Sequence, residues 1–256
     1  MLNWDASQYL QFQAQRTQPA IDLANRIRNE HVHNIIDIGC GPGNSTRVLK
    51  SKFHHAYILG IDSSAEMIDM AKNSHPDIDF VLCDAGQELS RLEQKYDVVF
   101  SNACIQWIPN HPQLLRDMFA MLNREGELAI QLPMNDKEPI HLIIDELTKS
   151  QPWKEKIASP RVFHQLRPDE YFDCLSQLTD RFELWETTYY HVLPSHEAIL
   201  EWYRGTGLRP YLQALSSEDR TVFEKEVYHQ VVKAYPVQEN GEIIFRFPRF
   251  FMLAVK

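Results

Sequence analysis

Short apolar runs alternate with stretches of helical periodicity through the first half of the chain. Ile35–Ile38, Tyr57-Ile58-Leu59-Gly60-Ile61, Phe80–Cys83, Tyr96–Ser101 and Leu128–Leu132 read as strands. Runs that are apolar almost throughout predict strands covered on both faces. Between them, Ser45–Lys50 and Pro112–Leu122 read as helices. Ser63-Ser64-Ala65-Glu66 reads as a capping box, opening a helix through Met67, Met70 and Ala71. This alternation predicts an α/β fold, a parallel sheet with helices on both faces.

The second half is less regular. Phe182–Leu193 is strand-like and Arg249–Val255 is a further strand, with Pro248 suited to its start. Helical patterns run between them from Ser195 to about Tyr235. No internal repeat, low-complexity tract or flexible linker interrupts the chain.

Composition narrows the classes. The 256 residues are 44% hydrophobic and 24% charged, enough for one large α/β domain or a domain with a cap. A net charge of −9 argues against nucleic acid as a partner. It also means that an anionic substrate must be held by local cations. Cys40, Cys83, Cys104 and Cys174 form neither a zinc-type pair nor a disulfide framework. Met1-Leu2-Asn3-Trp4-Asp5 does not read as a signal peptide, and no apolar stretch approaches bilayer length. The expectation is a soluble, reduced, cytoplasmic protein with no membrane partner. Oligomeric state is not legible.

The most informative segment is Ile35-Ile36-Asp37-Ile38-Gly39-Cys40-Gly41-Pro42-Gly43-Asn44. A strand, a glycine turn and a helix N-terminus make a nucleotide-binding corner. Gly39, Gly41 and Gly43 are expected to remove side chains that would keep a ligand off the backbone. The spacing is not Gly-x-Gly-x-x-Gly. Alternating glycines after the strand-end acid Asp37 resemble the first motif of class I S-adenosylmethionine-dependent methyltransferases; the alternative is a tight turn with no ligand. At the strand ends, Asp62 suits two ribose hydroxyls or the start of the next helix, and Asp84 an adenine amino group or solvent. The backbone of Asn102 and Ala103 should pass near the sulfonium. Ser101-Asn102-Ala103-Cys104 lacks the Asn/Asp-Pro-Pro-aromatic quartet of enzymes that methylate exocyclic amines of bases, which favours a small-molecule acceptor.

Two clusters suit an acceptor. Tyr9, Phe12 and Arg16 share a helix face, an arrangement that is more often core with a snorkelling cation than a site. Thr187-Thr188-Tyr189-Tyr190-His191 closes a strand, helix Ser195–Tyr203 follows, and then Gly205-Thr206-Gly207-Leu208-Arg209-Pro210. Pro210 at the first helical position puts Arg209 at the N-cap, where it would favour an anion or pair with Glu201. Tyr189 and Tyr190 point to opposite faces, so one of them reaches a pocket.

The chain resembles the trans-aconitate 2-methyltransferase family over nearly its full length. The resemblance is carried by Trp4…Tyr9-Leu10…Phe12…Arg16…Pro19, the glycine decamer, Gly60–Ser64, Asn102–Pro109, Thr187–His191, Pro194-Ser195-His196, Thr206–Pro210 and Gln238–Gly241. It implies a class I Rossmann-like sheet, mostly parallel with an antiparallel last strand, and a helical lid inserted near the C-terminus. The implied organisation is an N-terminal segment 1–30 closing over the cofactor, an α/β domain 31–193 and 241–256, and a substrate-binding insertion 194–240. It implies monomethyl esterification of a polycarboxylate by S-adenosyl-L-methionine, releasing S-adenosylhomocysteine. The implied cofactor residues are Arg16, Asp37, Gly39, Cys40, Gly41, Gly43, Asn44, Asp62, Ser63, Met67, Cys83, Asp84, Ala85, Asn102, Ala103, Gln106 and Trp107. Those for the acceptor are Tyr9, Arg16, Tyr189, Tyr190, His191, Trp202 and Arg209. No general base is expected, because a carboxylate acceptor is already ionised, and no metal, because the sequence shows no metal-ligand cluster. Gln18 stands where the family often has a second arginine, and Asp136 where an aromatic residue is usual. Methylation of another small carboxylic acid, or cofactor binding without catalysis, are the alternatives.

Overall fold

The structure, a computed structural model, describes residues 13–157, 163–204 and 207–256, with backbone alone at 13, 14 and 16. Tyr9, Phe12, Gly205, Thr206 and the Arg16 side chain, all singled out above, lie outside the described residues.

After α1 (Gln13–Arg26) come β1 (Asn34–Ile38), α2 (Asn44–Lys52), β2 (Tyr57–Asp62), α3 (Ala65–Ser74), β3 (Asp79–Leu82), β4 (Tyr96–Asn102), α4 (His111–Ala120) and β5 (Leu122–Pro133). Then follow α5 (Pro139–Lys149), α6 (Trp153–Lys156), α7 (Pro168–Ser176), β6 (Phe182–Leu193), α8 (His196–Arg204), α9 (Arg209–Ala214), α10 (Ser217–Ala234) and β7 (Ile243–Val255). The strands form one sheet in the order β3-β2-β1-β4-β5-β7-β6. β1 pairs parallel with β2 and β4, β2 with β3, and β4 with β5, whereas β7 runs antiparallel to β5. The chain leaves β1 for β2 on one side and later returns to β4 on the other. The carboxyl ends of β1 and β4 therefore flank a switch point, where open α/β sheets place their ligands.

The apolar runs are strands because both faces are covered. Ile35, Ile36 and Ile38 of β1 and Val98, Val99 and Phe100 of β4 are fully buried. Each such side chain contributes about 1.5–3 kcal/mol by leaving water.

Several boundaries differ from the sequence reading. Ser64, not Ser63, caps α3, accepting from Met67 N at 3.4 Å. Asp62 accepts from Ser64 N at 2.9 Å, which draws Ser63 into a turn and starts the helix one residue later. α4 stops at Ala120 because Leu122 is recruited opposite Tyr96 in the β4–β5 ladder. The next paired residues are Val98 and Glu127, so Asn123–Gly126 form an excursion, with Glu125 at φ 60°. β7 begins at Ile243, and Pro248 lies inside it. Pairing with β5 starts only at Pro133 and Arg249, so the missing Pro248 N–H costs that ladder nothing. Its carbonyl accepts from Met134 N at 3.1 Å. Arg209 is the first helical residue of α9, with Leu208 at the N-cap.

The chain divides into two compact units. One comprises Arg16–Pro133, Phe163–Thr187 and Arg249–Lys256. The other is drawn chiefly from Met134–Val162 and Thr188–Pro248, so residues 194–240 share it with α5 and α6. This second unit has its own core, in which Ile140, Trp153, Trp202, Phe223, Val227 and Phe245 are all buried. Trp153 Nε1 donates to Glu226 Oε2 at 2.7 Å, so the indole keeps its hydrogen bond despite burial. No described helix is long and apolar enough to cross a membrane.

Candidate functional site

The glycine turn is held by the neighbouring strand. Gly39 N and Cys40 N both donate to Ile61 O, at 2.8 and 3.0 Å, and Gly43 N donates to Cys40 O at 3.0 Å. All three turn glycines have positive φ, at 74°, 54° and 92°. Their surroundings differ, which the spacing did not foretell. A Cβ on Gly39 would lie 2.1 Å from Cys104 Sγ, and one on Gly43 would lie 2.5 Å from the His75 ring. A Cβ on Gly41 would meet nothing within 4 Å. Gly39 is thus required by packing within the protein, Gly43 is crowded by the ring end of His75, and Gly41 is the turn glycine facing open space.

Asp37 is fully buried beneath this turn. Its Oδ2 accepts from Ser45 Oγ and Thr46 Oγ1, each at 2.7 Å, tying β1 to the first turn of α2. Its Oδ1 has no partner among the described residues. Burial raises its pKa to about 6, against the two hydroxyl hydrogen bonds that lower it. Asn102 Oδ1, at the end of β4, is likewise buried and unpartnered. So is Gln106 Oε1, whose Nε2 donates to Ala103 O at 2.7 Å. Three orphaned acceptors and an open glycine suit a ligand that brings donors and positive charge. S-adenosylmethionine fits that description.

The remaining strand-end residues are committed in part to the protein itself. Asp62 Oδ2 accepts from Gly41 N at 3.0 Å while its Oδ1 accepts from Ser64 N at 2.9 Å. Burial raises its pKa, and the backbone N–H groups of Ser64, Gly41 and Ser63 counteract this. Asp84 Oδ1 accepts from Gly86 N at 2.9 Å and Oδ2 from Gln87 Nε2 at 3.0 Å, closing its own loop. Met67 and Cys83 are buried, Ala85 is half-buried and Ser63 exposed. Asn44 opens α2. Trp107 is exposed, with its ring 5.1 Å from that of Phe163. Ala103 adopts φ 54° and donates its N–H to Gln131 O at 2.8 Å. Burial pushes the Cys104 thiol up to about 12, and that of Cys40 upward as well, so neither supplies a thiolate. Among the described residues, no three His, Cys, Asp or Glu side chains gather as metal ligands.

Gln131 escaped the sequence reading. It is fully buried on β5, and neither Nε2 nor Oε1 has a partner among the described residues. The available signal was an amide inside the otherwise apolar run Leu128–Leu132.

The second unit holds the described acceptor candidates. Exposure alternates at the end of β6: Tyr189 and His191 are half-buried, while Tyr190 is 62% exposed and Val192 59%. The pleat therefore places Tyr189 with His191, their rings nearly parallel at 6.3 Å, and turns Tyr190 to the other face. The His191 ring lies 5.0 Å from Trp202 and 5.7 Å from Phe247. Trp202 is buried in that aromatic cluster, as core. Arg209 is half-buried at the start of the short helix α9.

A family model described as a methyltransferase domain matches residues 35–126, from β1 into β5. The YcgJ protein of Bacillus subtilis shares the fold at TM-score 0.58 and 14% identity, over 95% of this chain and 98% of that one. Sequence similarity extends well beyond residues 35–126. Trans-aconitate 2-methyltransferase of Escherichia coli O139:H28 is 40% identical over 254 residues, 99% of this chain and 98% of that protein. The enzyme of that name from Klebsiella pneumoniae strain 342 is 40% identical over 256 residues, 100% and 99% of the two chains. Identity at that level across both units, joined to the switch-point turn and its buried acceptors, makes this chain a member of the trans-aconitate 2-methyltransferase family.

Proposed function

We propose that this chain transfers a methyl group from S-adenosyl-L-methionine to one carboxylate of trans-aconitate, yielding a monomethyl ester and S-adenosylhomocysteine. The observation that carries this is 40% identity, over 99–100% of this chain, to enzymes of that name. Bound S-adenosylmethionine supplies a methyl group made electrophilic by a positively charged sulfur. The open face of Gly41 admits the cofactor, and Asp37 Oδ1, Asn102 Oδ1 and Gln106 Oε1 accept from its donors. Asp62 accepts ribose hydroxyls with the lone pairs that its backbone partners leave.

The acceptor oxygen needs no base. A carboxyl group of ordinary pKa, about 4, is ionised at neutral pH. What the protein supplies is in-line alignment and exclusion of water. Arg209, His191 and Tyr189 hold non-reacting carboxylates, as do Tyr9 and Arg16. A guanidinium on the reacting oxygen would make it a poorer nucleophile. In this reading, residues 31–193 and 241–256 serve the cofactor, 194–240 form a lid for the acceptor, and 1–30 close over the cofactor.

The test is transfer of radiolabelled methyl from S-adenosylmethionine to trans-aconitate, its cis isomer and a set of monocarboxylates. Trans-aconitate should give the highest kcat/KM and a base-labile labelled ester. Binding of S-adenosylhomocysteine without label transfer to any acid would overturn the catalytic reading.

A further inference from the structure

The order of strands ranks the polar groups at the carboxyl edge of the sheet. Asp84 follows β3, Asp62 ends β2, the glycine turn follows β1, and Asn102 ends β4. Gln131 on β5 pairs with Asn102, so the two amides stand level on one face of adjacent strands, about 4.8 Å apart along the ladder. If the adenosine lies toward β2 and β3 and the sulfonium toward β4, β5 is the next strand on the far side of the transferred methyl.

Gln131 differs chemically from the residues before it. Asp37, Asn102 and Gln106 leave acceptors unsatisfied, which suits a cation, whereas Gln131 also leaves a donor, Nε2. A fully buried amide with no partner at either atom among the described residues is costly, and such an amide calls for a partner from protein, water or ligand. Its surroundings favour an anion. Arg249, 5% exposed, is paired with Pro133 on the same pleat face, two residues along β5. Gln131's partner on β7, Phe251, is covered by Trp185, the rings stacked at 5.0 Å and 10°. That aromatic cover limits competing water.

We propose that Gln131 is a specificity-determining contact for the acceptor, its Nε2 donating a hydrogen bond to the carboxylate beside the transferred methyl. This rests on the carboxyl-methylation reading above. A neutral amide orients a carboxylate through its non-reacting oxygen while drawing off less charge than a guanidinium. The nucleophilic oxygen keeps its electron density.

The experiment compares wild type with Gln131→Leu, Gln131→Met and Gln131→Glu, reading melting temperature, S-adenosylhomocysteine affinity by calorimetry, and KM and kcat for trans-aconitate. Leu and Met remove two orphaned atoms, so the melting temperature should hold or rise while kcat/KM falls about 10- to 100-fold. Glu keeps an acceptor, loses the donor and repels a carboxylate, so its KM should rise furthest. Cofactor affinity should stay within about threefold in all three variants. Unchanged kcat/KM, a parallel loss of cofactor affinity, or unfolding of every variant would overturn the assignment. A wild-type protein that binds S-adenosylhomocysteine but methylates no acid would overturn the function it rests on, and would show this before any variant is made.

Discussion

The sulfur of Cys104 occupies the space that a side chain at Gly39 would need, 2.1 Å from a Cβ built there. This contact joins the turn after β1 to the turn after β4, the two ends of the switch point. Gly39→Ala combines a steric overlap with a left-handed φ of 74°, so it should destabilise by about 2–4 kcal/mol in urea unfolding. Cys104→Gly in the same chain, which removes both the sulfur and the Cys104 Cβ that lies 2.3 Å from the built atom, should recover the overlap but not the backbone strain, leaving about 1–2 kcal/mol. Additive costs in the double variant would contradict the contact.

Gly41 behaves oppositely. Nothing lies within 4 Å of its missing Cβ, so Gly41→Val meets only the strain of φ 54°, about 1–2 kcal/mol. The isopropyl group enters the space assigned to the cofactor, and calorimetry should find no binding of S-adenosylhomocysteine in a variant that still unfolds cooperatively. Undiminished affinity would refute the assignment of the turn.

Asp37 gives a pH dependence with a defined sign. Its pKa is raised from 3.8 to about 6 in the folded protein, mainly by burial. The native state therefore binds this proton more tightly than the unfolded chain. The stability it contributes is complete below about pH 4 and is lost as pH rises through about 6. Asp37→Asn should be more stable than wild type at about pH 8, by about 1–2 kcal/mol, with the gap closing near pH 4. Affinity for the cationic cofactor should fall in wild type below about pH 6 as Asp37 takes its proton, and stay level in the variant. A level wild-type profile would remove Asp37 from the cofactor's partners.

Arg209 and Tyr189 carry the acceptor proposal in the second unit. Lysine cannot reproduce a bidentate guanidinium clamp. Arg209→Lys should therefore cost about tenfold or more in kcat/KM on trans-aconitate, and less than about threefold on a monocarboxylate. Tyr189→Phe should raise KM for trans-aconitate, whereas Tyr190→Phe, on the exposed face, should leave kinetics and stability unchanged within about 0.5 kcal/mol. Equal losses on both acids, or equal effects of the two tyrosine changes, would rule out these roles.

Much of the first unit was legible because its strands are apolar on both faces and its turns carry glycine. Three boundaries moved through a partner distant in sequence or a side-chain turn. Asp62 drew Ser63 out of α3, Tyr96 took Leu122 from α4, and the late start of the β5 ladder let β7 run through Pro248. Helices α5, α6 and α7 went unread. Ile140-His141-Leu142-Ile143-Ile144 suits a strand or a helix by composition alone. Burial of Ile140 and Ile144, one helical turn apart, in the second unit's core decides for the helix.

The sequence by itself determined the alternation of strands and helices, the glycine turn, the acids at the strand ends and the family. Those follow from local periodicity and from residues that only one backbone conformation favours. Tertiary structure decided which turn glycine faces open space, which tyrosine shares a face with His191, and that Trp202 is core. It also decided that Gln131 is a buried amide with neither atom paired. These depend on what stands opposite each side chain across strands and helices far apart in the chain, a relation that local spacing does not encode.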